Sequence, residues 1–353
     1  MKLVVFGLTV SSSWGNGHAT LWRGLARALA RRGHRLLFFE RDVPWYAEHR
    51  DLTELPGGEL ILYRDWAEAG PLARRHLADA DVAMVTSYCP DGLAATNATL
   101  ASPAARKVFW DLDTPVTLAR LAAGEPVEAV GPRGLRDFDF ALSYTGGPAL
   151  KALTDHLGAR RAVPLYGFVD PEMHRPTAPD ARFRADLSYL GTYAADRQHR
   201  LEELFVEPAR RRPDRRFVLA GALYPHGFPW TDNIFFVRHL PPAEHPAFFA
   251  ASRLTLSVTR AAMAAMGWCP SGRLFEAAAC GCPVISDAWD GLDHFFTPGT
   301  EILVARGTPD AMAALSLSDA ELQRIGRAAR DRALACHTAD RRVIDLETAL
   351  EKA

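Results

Sequence analysis

Charge of one sign is missing from this chain. Lys and Arg number 41 and Asp and Glu 42, a formal net charge of −1 over 353 residues. That balance argues against general affinity for nucleic acid or for an anionic membrane surface. Long apolar runs are missing too: none approaches the roughly 18 residues of a membrane-spanning helix. The opening "LVVFGLTV" follows Lys2 but is short, and no A-x-A cleavage pattern comes after it. It therefore reads as a first buried strand rather than a secretory leader. Cysteine is scarce, with five residues (Cys89, Cys269, Cys280, Cys282, Cys336) and no C-x-x-C pair. An odd, scattered set fits free thiols in a reducing cytoplasm better than a disulfide frame. Low-complexity tracts and short repeats are absent, which removes solenoids and tails from consideration.

What is present is an alternating grammar. At about 150 residues per domain, the length suggests two domains. "LVVFGLTV", "RLLFFE", "ELILY", "DVAMVTSY", "RKVFWDLD" and "FDFALSY" read as strands apolar on both faces, as parallel strands between helices are. In "LWRGLARALARRGH", Leu21, Leu25 and Leu29 recur every fourth residue and Gly33 stops the helix. "VDPEMHRPTAPDARFRAD" is rich in proline and charge and reads as a linker. The grammar then restarts with "LSYLGTY", "RRFVLAGALY", "IFFVRHL", "RLTLSVT", "PVISD" and "EILVA", and a helical tail begins near residue 318. The expectation is two α/β halves, 1–168 and 169–353, facing a cleft, with the last helix free to pack back on the first half.

The first loop, "TVSSSWGNGHAT", admits several chemistries. Gly15 and Gly17 are followed by Thr20, so the G-x-G-x-x-G dinucleotide fingerprint is broken. Glu40 ends the second strand and is the one acid that could serve a nicotinamide nucleotide there. No lysine is present for a Walker-A loop. His18 stands where loop turns to helix, and a helix N-terminus favours the neutral imidazole, a base able to deprotonate a hydroxyl. The plainer alternative is a histidine that caps the helix.

In "CPSGRLFEAAACGCPVISD", Ser271 is placed to cap a helix and Gly281 to end it. Arg273 and Glu276 are three apart and share a face. An arginine in a first helical turn suits an anion, and a carboxylate one turn on can accept from a ribose diol. Glu276 lies inside the apolar "LFEAAAC", an odd place for a decorative charge. Arg260 follows the strand "LTLSVT" at its carboxyl end, where a phosphate contact is plausible.

"FEAAACGCPVIS" resembles the donor motif E-A-x-A-x-G-x-P-V-I of family-four-like glycosyltransferases. With "SSWGNGHATLWRGLARALARRGH", "FFERDVPWY", "DLDTPVTL", "PLYGFVDPEMHRP" and "YLGTYAADRQ", the chain resembles the CgeB-type (spore-maturation-protein-like) glycosyltransferases of the GT-B fold. The resemblance implies two Rossmann-like doubly wound domains and a cytoplasmic, metal-independent enzyme without a bound cofactor. The first domain would take the acceptor, whether small molecule, glycan or protein. The second would take a nucleotide diphosphate-sugar. It assigns the donor ribose to Glu276, the diphosphate to Gly191, Thr192 and Arg197, and the base to His18. Asp111 or Asp113 would then steer His18 by a hydrogen bond to one ring nitrogen. The chain departs from the family-four pattern at Trp268, where a sugar-contacting glutamate is expected.

Rivals remain at this level. Asp111 and Asp113 also form a D-x-D pair, which in the other large glycosyltransferase fold holds a divalent metal. The pair recurs at Asp79/Asp81 and Asp137/Asp139, so its signal is weak. A nucleotide-sugar epimerase would share the donor site, and a non-catalytic assembly protein would keep the fold alone. "YPHGFPW" could stack on a base or pack on its own rings, Asp293 and His294 could line a pocket, and Cys269, Cys280 and Cys282 lack the spacing of a structural zinc site.

Overall fold

Leu3, Val4, Val5 and Phe6 all bury their side chains, as do all five residues of Val82–Thr86 and the four from Phe217 to Ala220. Strands covered on both faces must lie inside a sheet flanked by helices. Each fully buried Leu or Phe contributes about 1.5–3 kcal/mol. The computed structural model, which describes residues 1–352, arranges these strands in two parallel sheets.

The first sheet holds β1 (Lys2–Gly7), β2 (Arg35–Arg41), β3 (Gly58–Tyr63), β4 (Val82–Thr86), β5 (Arg106–Asp111), β6 (Phe140–Ser143) and β7 (Ala162–Pro164). Its order is β3-β2-β1-β4-β5-β6-β7, every pair parallel. The second holds β8 (Leu187–Leu190), β9 (Phe217–Gly221), β10 (Ile234–Arg238), β11 (Thr255–Ser257), β12 (Val284–Asp287) and β13 (Leu303–Ala305). Its order, β10-β9-β8-β11-β12-β13, repeats the same doubly wound path. The edge strands β3 and β10 are the wetter ones, and Phe235 and Phe236 of β10 are exposed.

The chain divides into two compact units. One is Met1–Tyr166 with the final helix Ala339–Glu351, and the other is Gly167–Thr338. Val343, Leu346 and Leu350 of that final helix are buried. It lies against the helix His18–Arg31, and the rim of the contact is charged: Arg31 pairs with Asp340 at 2.9 Å and Arg32 with Glu347 at 2.6 Å.

All twelve strands expected from sequence are present, and β7 was not foreseen. It has three residues and ends in proline, too short a run to stand out. Among the described residues no helix is long and apolar enough to cross a membrane.

In both sheets the chain reverses direction across the first strand, β1 in one and β8 in the other. In doubly wound sheets, loops at the carboxyl ends of strands beside this switch point build ligand sites. The loops after β1, β5, β8 and β11 carry the candidate residues.

Candidate functional site

In the first unit the loop after β1 is held from within by Glu40, which is wholly buried. Its carboxylate accepts from Thr9 Oγ1 (2.7 Å), Val10 N (2.7 Å), Ser11 N (3.0 Å) and Ser11 Oγ (2.5 Å). A carboxylate has about four acceptor positions, so this one is saturated. Glu40 therefore cannot serve the ribose of a nicotinamide nucleotide, and that reading loses its only acid.

The loop delivers His18 to the first position of the helix His18–Arg31, where Asn16 Oδ1 accepts from the His18 backbone N–H at 3.0 Å. Gly17 is the N-cap, Asn16 just outside it takes the first helical N–H, and the imidazole is left for other work. Its Nδ1 is buried with no hydrogen-bond partner. Burial lowers its pKa below the usual 6.5, and the charge of Asp113 partly offsets this.

The two aspartates do not bind the imidazole as expected. Asp111 Oδ1 accepts from Thr117 Oγ1 at 3.0 Å and from the Asp113 N–H at 3.2 Å. Asp113 Oδ2 accepts from the Tyr88 hydroxyl at 2.8 Å. Both carboxylates are engaged locally, and neither is hydrogen-bonded to His18. Asp111, fully buried, is pushed up to about 6 by that burial. Asp113 instead acts on His18 through its charge. Tyr88, not singled out from sequence, is the link: it holds Asp113 and places its ring 6.1 Å from that of His18. Its backbone is left-handed, with φ 67°, which is uncommon outside glycine.

In the second unit the turn after β8 gathers cations. Gly191 needs its lack of a side chain, since an added Cβ would overlap Arg273 Nη1 and the Tyr189 hydroxyl. Arg273 Nη1 donates to the Leu190 carbonyl and its Nε to Ser271 Oγ at 3.2 Å. Arg197 donates to the Thr192 carbonyl, and Tyr224 OH donates to the Gly191 carbonyl at 2.9 Å. Among the described residues neither Arg197 nor Arg273 has a carboxylate within ion-pair distance, although the charge of Glu276 acts on Arg273, and Arg197 Nε has no hydrogen-bond partner. Burial and the nearby Arg273 lower the Arg197 pKa, while Tyr189 opposes the fall.

Gly191, Thr192, Arg197, Ser271, Arg273 and Glu276 thus come together. Arg260 stands apart electrically, because Asp196 pairs with it at 3.1 Å. Ser271 does sit at the N-cap of the helix Gly272–Ala279, but its side chain makes no capping bond; its hydroxyl is taken by Arg273 instead.

Glu276 is buried in that helix. Burial opposes its charge, yet His174, His245 and Arg273 hold its carboxyl down to about 2. The two histidines were missed as site residues. Each is isolated in sequence, and only the fold brings them together.

The weaker features resolve more simply. Tyr224, Phe228 and Trp230 pack on one another, with ring centroids 5.2 and 4.4 Å apart along the series. Trp268 has φ 52°, donates its N–H to Asp290 O at 2.7 Å and sets its ring 5.3 Å from that of His294. Cys269, Cys280 and Cys282 are buried free thiols, and burial pushes Cys280 up to about 12.

Residues 197–348, which include the turn arginine and the helix of Glu276, match the family model described as Glycosyl transferase-like. The whole chain superposes on sucrose-phosphate synthase from Thermosynechococcus elongatus with TM-score 0.73, 15% identity, and coverage of 100% of this chain and 99% of that one. The chain has the two-domain GT-B fold of that structure, and its second half is similar to a glycosyltransferase-like family. Two further structures carry the same likeness. Anabaena HepE in complex with UDP and glucose gives TM-score 0.69 at 13% identity, covering 100% of both chains. An alpha-glucosyltransferase in complex with UDP gives TM-score 0.69 at 11% identity, covering 99% of this chain and 100% of that one. No curated protein matches the chain in sequence. The structural likenesses speak to fold, and the chemistry must be argued from the chain's own residues.

Proposed function

We propose that the protein transfers a sugar from a nucleoside diphosphate-sugar to a hydroxyl-bearing or other nucleophilic acceptor, with inversion at the anomeric carbon. The observation that carries this reading is the pair of guanidiniums, Arg197 and Arg273, set without carboxylate partners at the turn of Gly191. Two half-buried guanidiniums brought together without a carboxylate in ion-pair contact favour an anion between them. A diphosphate supplies two charges and the acceptor oxygens that arginine forks match. Glu276, one helical turn from Arg273 and held ionised, suits hydroxyl donors such as a ribose diol. UDP is the first base to test, since two of the structural neighbours hold it.

In this reading His18 takes the acceptor proton. Its lowered pKa keeps it neutral at pH 7, as a general base must be. The charge of Asp113 favours the imidazolium that forms. Arg197 and Arg273 stabilise the leaving diphosphate as its charge grows, a role played elsewhere by a metal ion. The CgeB-type subfamily and a cytoplasmic location belong to the same proposal, and the free thiols support the location.

The test is a thermal-shift and calorimetric panel of UDP, GDP, ADP and their sugar conjugates on EDTA-treated protein. A ligand at 100 times its Kd should add about 2.7 kcal/mol of stability. We expect a rise with one nucleoside diphosphate that Arg273→Ala cuts to about half or less. No rise with any nucleotide would overturn the reading, and sugar turnover without acceptor would replace it with an epimerase.

A further inference from the structure

Glu276 faces two imidazoles from distant parts of the second unit. His174 lies in the segment after the Val169 bridge, and His245 opens the helix His245–Ala250. His174 Nε2 is 3.9 Å from Glu276 Oε2, and His245 Nδ1 is 3.7 Å from the same oxygen. All three atoms lie within 4.8 Å of one another. His174 is 3% exposed and Glu276 7%.

These separations are too long for hydrogen bonds, which for a charged pair close to about 2.7–2.9 Å. They are close to the spacing of two ligands on one ion. With metal–nitrogen and metal–oxygen bonds of about 2.0–2.2 Å, two ligands of one tetrahedral zinc stand roughly 3.4 Å apart, so each imidazole need close on Glu276 by only about half an ångström.

The hydrogen-bond pattern around His245 points the same way. His245 Nε2 lies 3.2 Å from the Leu240 carbonyl. A carbonyl only accepts, so Nε2 carries a hydrogen, and Nδ1 is the ring nitrogen left to face Glu276. Neither Nδ1 nor Glu276 Oε2 has a hydrogen-bond partner among the described residues. A carboxylate oxygen and an imidazole nitrogen set this close without a hydrogen bond leave room for a cation between them. A backbone carbonyl on the far ring nitrogen is also the usual outer support of a metal-ligating histidine.

We propose that His174, His245 and Glu276 bind a divalent transition-metal ion of the zinc class. Two imidazoles and one carboxylate are the ligand set zinc takes with an open fourth position. The ion would tie three segments of the second unit together and fix Glu276 through Oε2, leaving Oε1 for other partners. Glu276 neutralises only one of the two charges, so the fourth position favours an anion. The inference does not depend on the transfer chemistry proposed above.

The test uses the full chain, stripped with EDTA and titrated with Zn²⁺ and, separately, Co²⁺. Metal analysis should give about one ion per chain. The cobalt form should show visible d–d absorption without the intense near-ultraviolet bands of thiolate ligands, which sets this site apart from Cys269, Cys280 and Cys282. His245→Gln and His174→Gln, checked for folding by circular dichroism, should each weaken zinc binding by at least about tenfold. Arg273→Ala should keep the zinc while losing the nucleotide, so the two proposals fail separately. Absence of stoichiometric binding, thiolate bands in the cobalt spectrum, or zinc affinity unchanged in both folded histidine variants would overturn the assignment.

Discussion

The two units wind their strands in the same order, yet the loop after the first strand is built on opposite electrical principles. In the first unit the loop wraps a buried carboxylate, Glu40, and sets a histidine near Asp113. In the second the turn is short, wraps nothing, and collects Arg197 and Arg273 around Gly191. One scaffold carries a histidine beside an aspartate in one unit and two arginines at a glycine turn in the other. The polarity of each site is set by side chains from neighbouring strands and helices, not by the winding of the sheet.

Substitutions can break that contrast, and the largest effect is expected at His18. His18→Ala should lower kcat by about 10²–10⁴-fold, the usual worth of a general base, with UDP affinity unchanged. Equal loss of nucleotide binding would show that the loop contributes to the donor site instead. Arg273→Ala should weaken UDP binding by roughly ten- to a hundredfold, as for hydrogen bonds to a charged group of about 1.5–3 kcal/mol, and should be read by calorimetry.

Glu40→Ala leaves two buried N–H groups and two hydroxyls of the first loop without their acceptor. At about 1–3 kcal/mol for each unsatisfied group, it should destabilise the first unit by several kcal/mol, visible as an early transition in chemical denaturation. The same change in a nicotinamide site would weaken cofactor binding and leave stability nearly intact.

A subtler test is the acid limb of kcat/KM. His18 must be neutral to accept a proton, so activity should be flat through pH 7 and fall only below the ordinary histidine value of 6.5. Asp113→Asn removes a charge that raises the His18 pKa, so the limb should move further toward acid. A shift toward alkaline pH would remove Asp113 from the His18 environment. The smallest effect is expected at the charged rim of the final helix. Breaking the exposed pair of Arg31 and Asp340 should cost about 0–1 kcal/mol.

Much of this was legible in the sequence because parallel strands announce themselves as short runs apolar on both faces. The start of the His18 helix and the company of Arg273 with Glu276 were legible for a similar reason, since they depend on local spacing. Contacts between segments remote in sequence were not. Nothing local to "DPEMHRP" or "PAEHPAFF" signals that both histidines meet Glu276. The hydroxyl of Ser271 has two possible partners, the backbone and Arg273, and only packing decides between them. Asp111 and Asp113, alike in sequence, part company because Asp111 faces the interior and Asp113 faces Tyr88.

The helix Ala339–Glu351 closes the first unit, yet it is translated after the whole of the second. While the chain emerges from the ribosome, the second unit has all its strands available before the first has its last helix. The apolar face of the His18 helix, against which Val343, Leu346 and Leu350 finally settle, must wait through that interval. The first unit thus draws its covering helix from beyond the second unit in sequence.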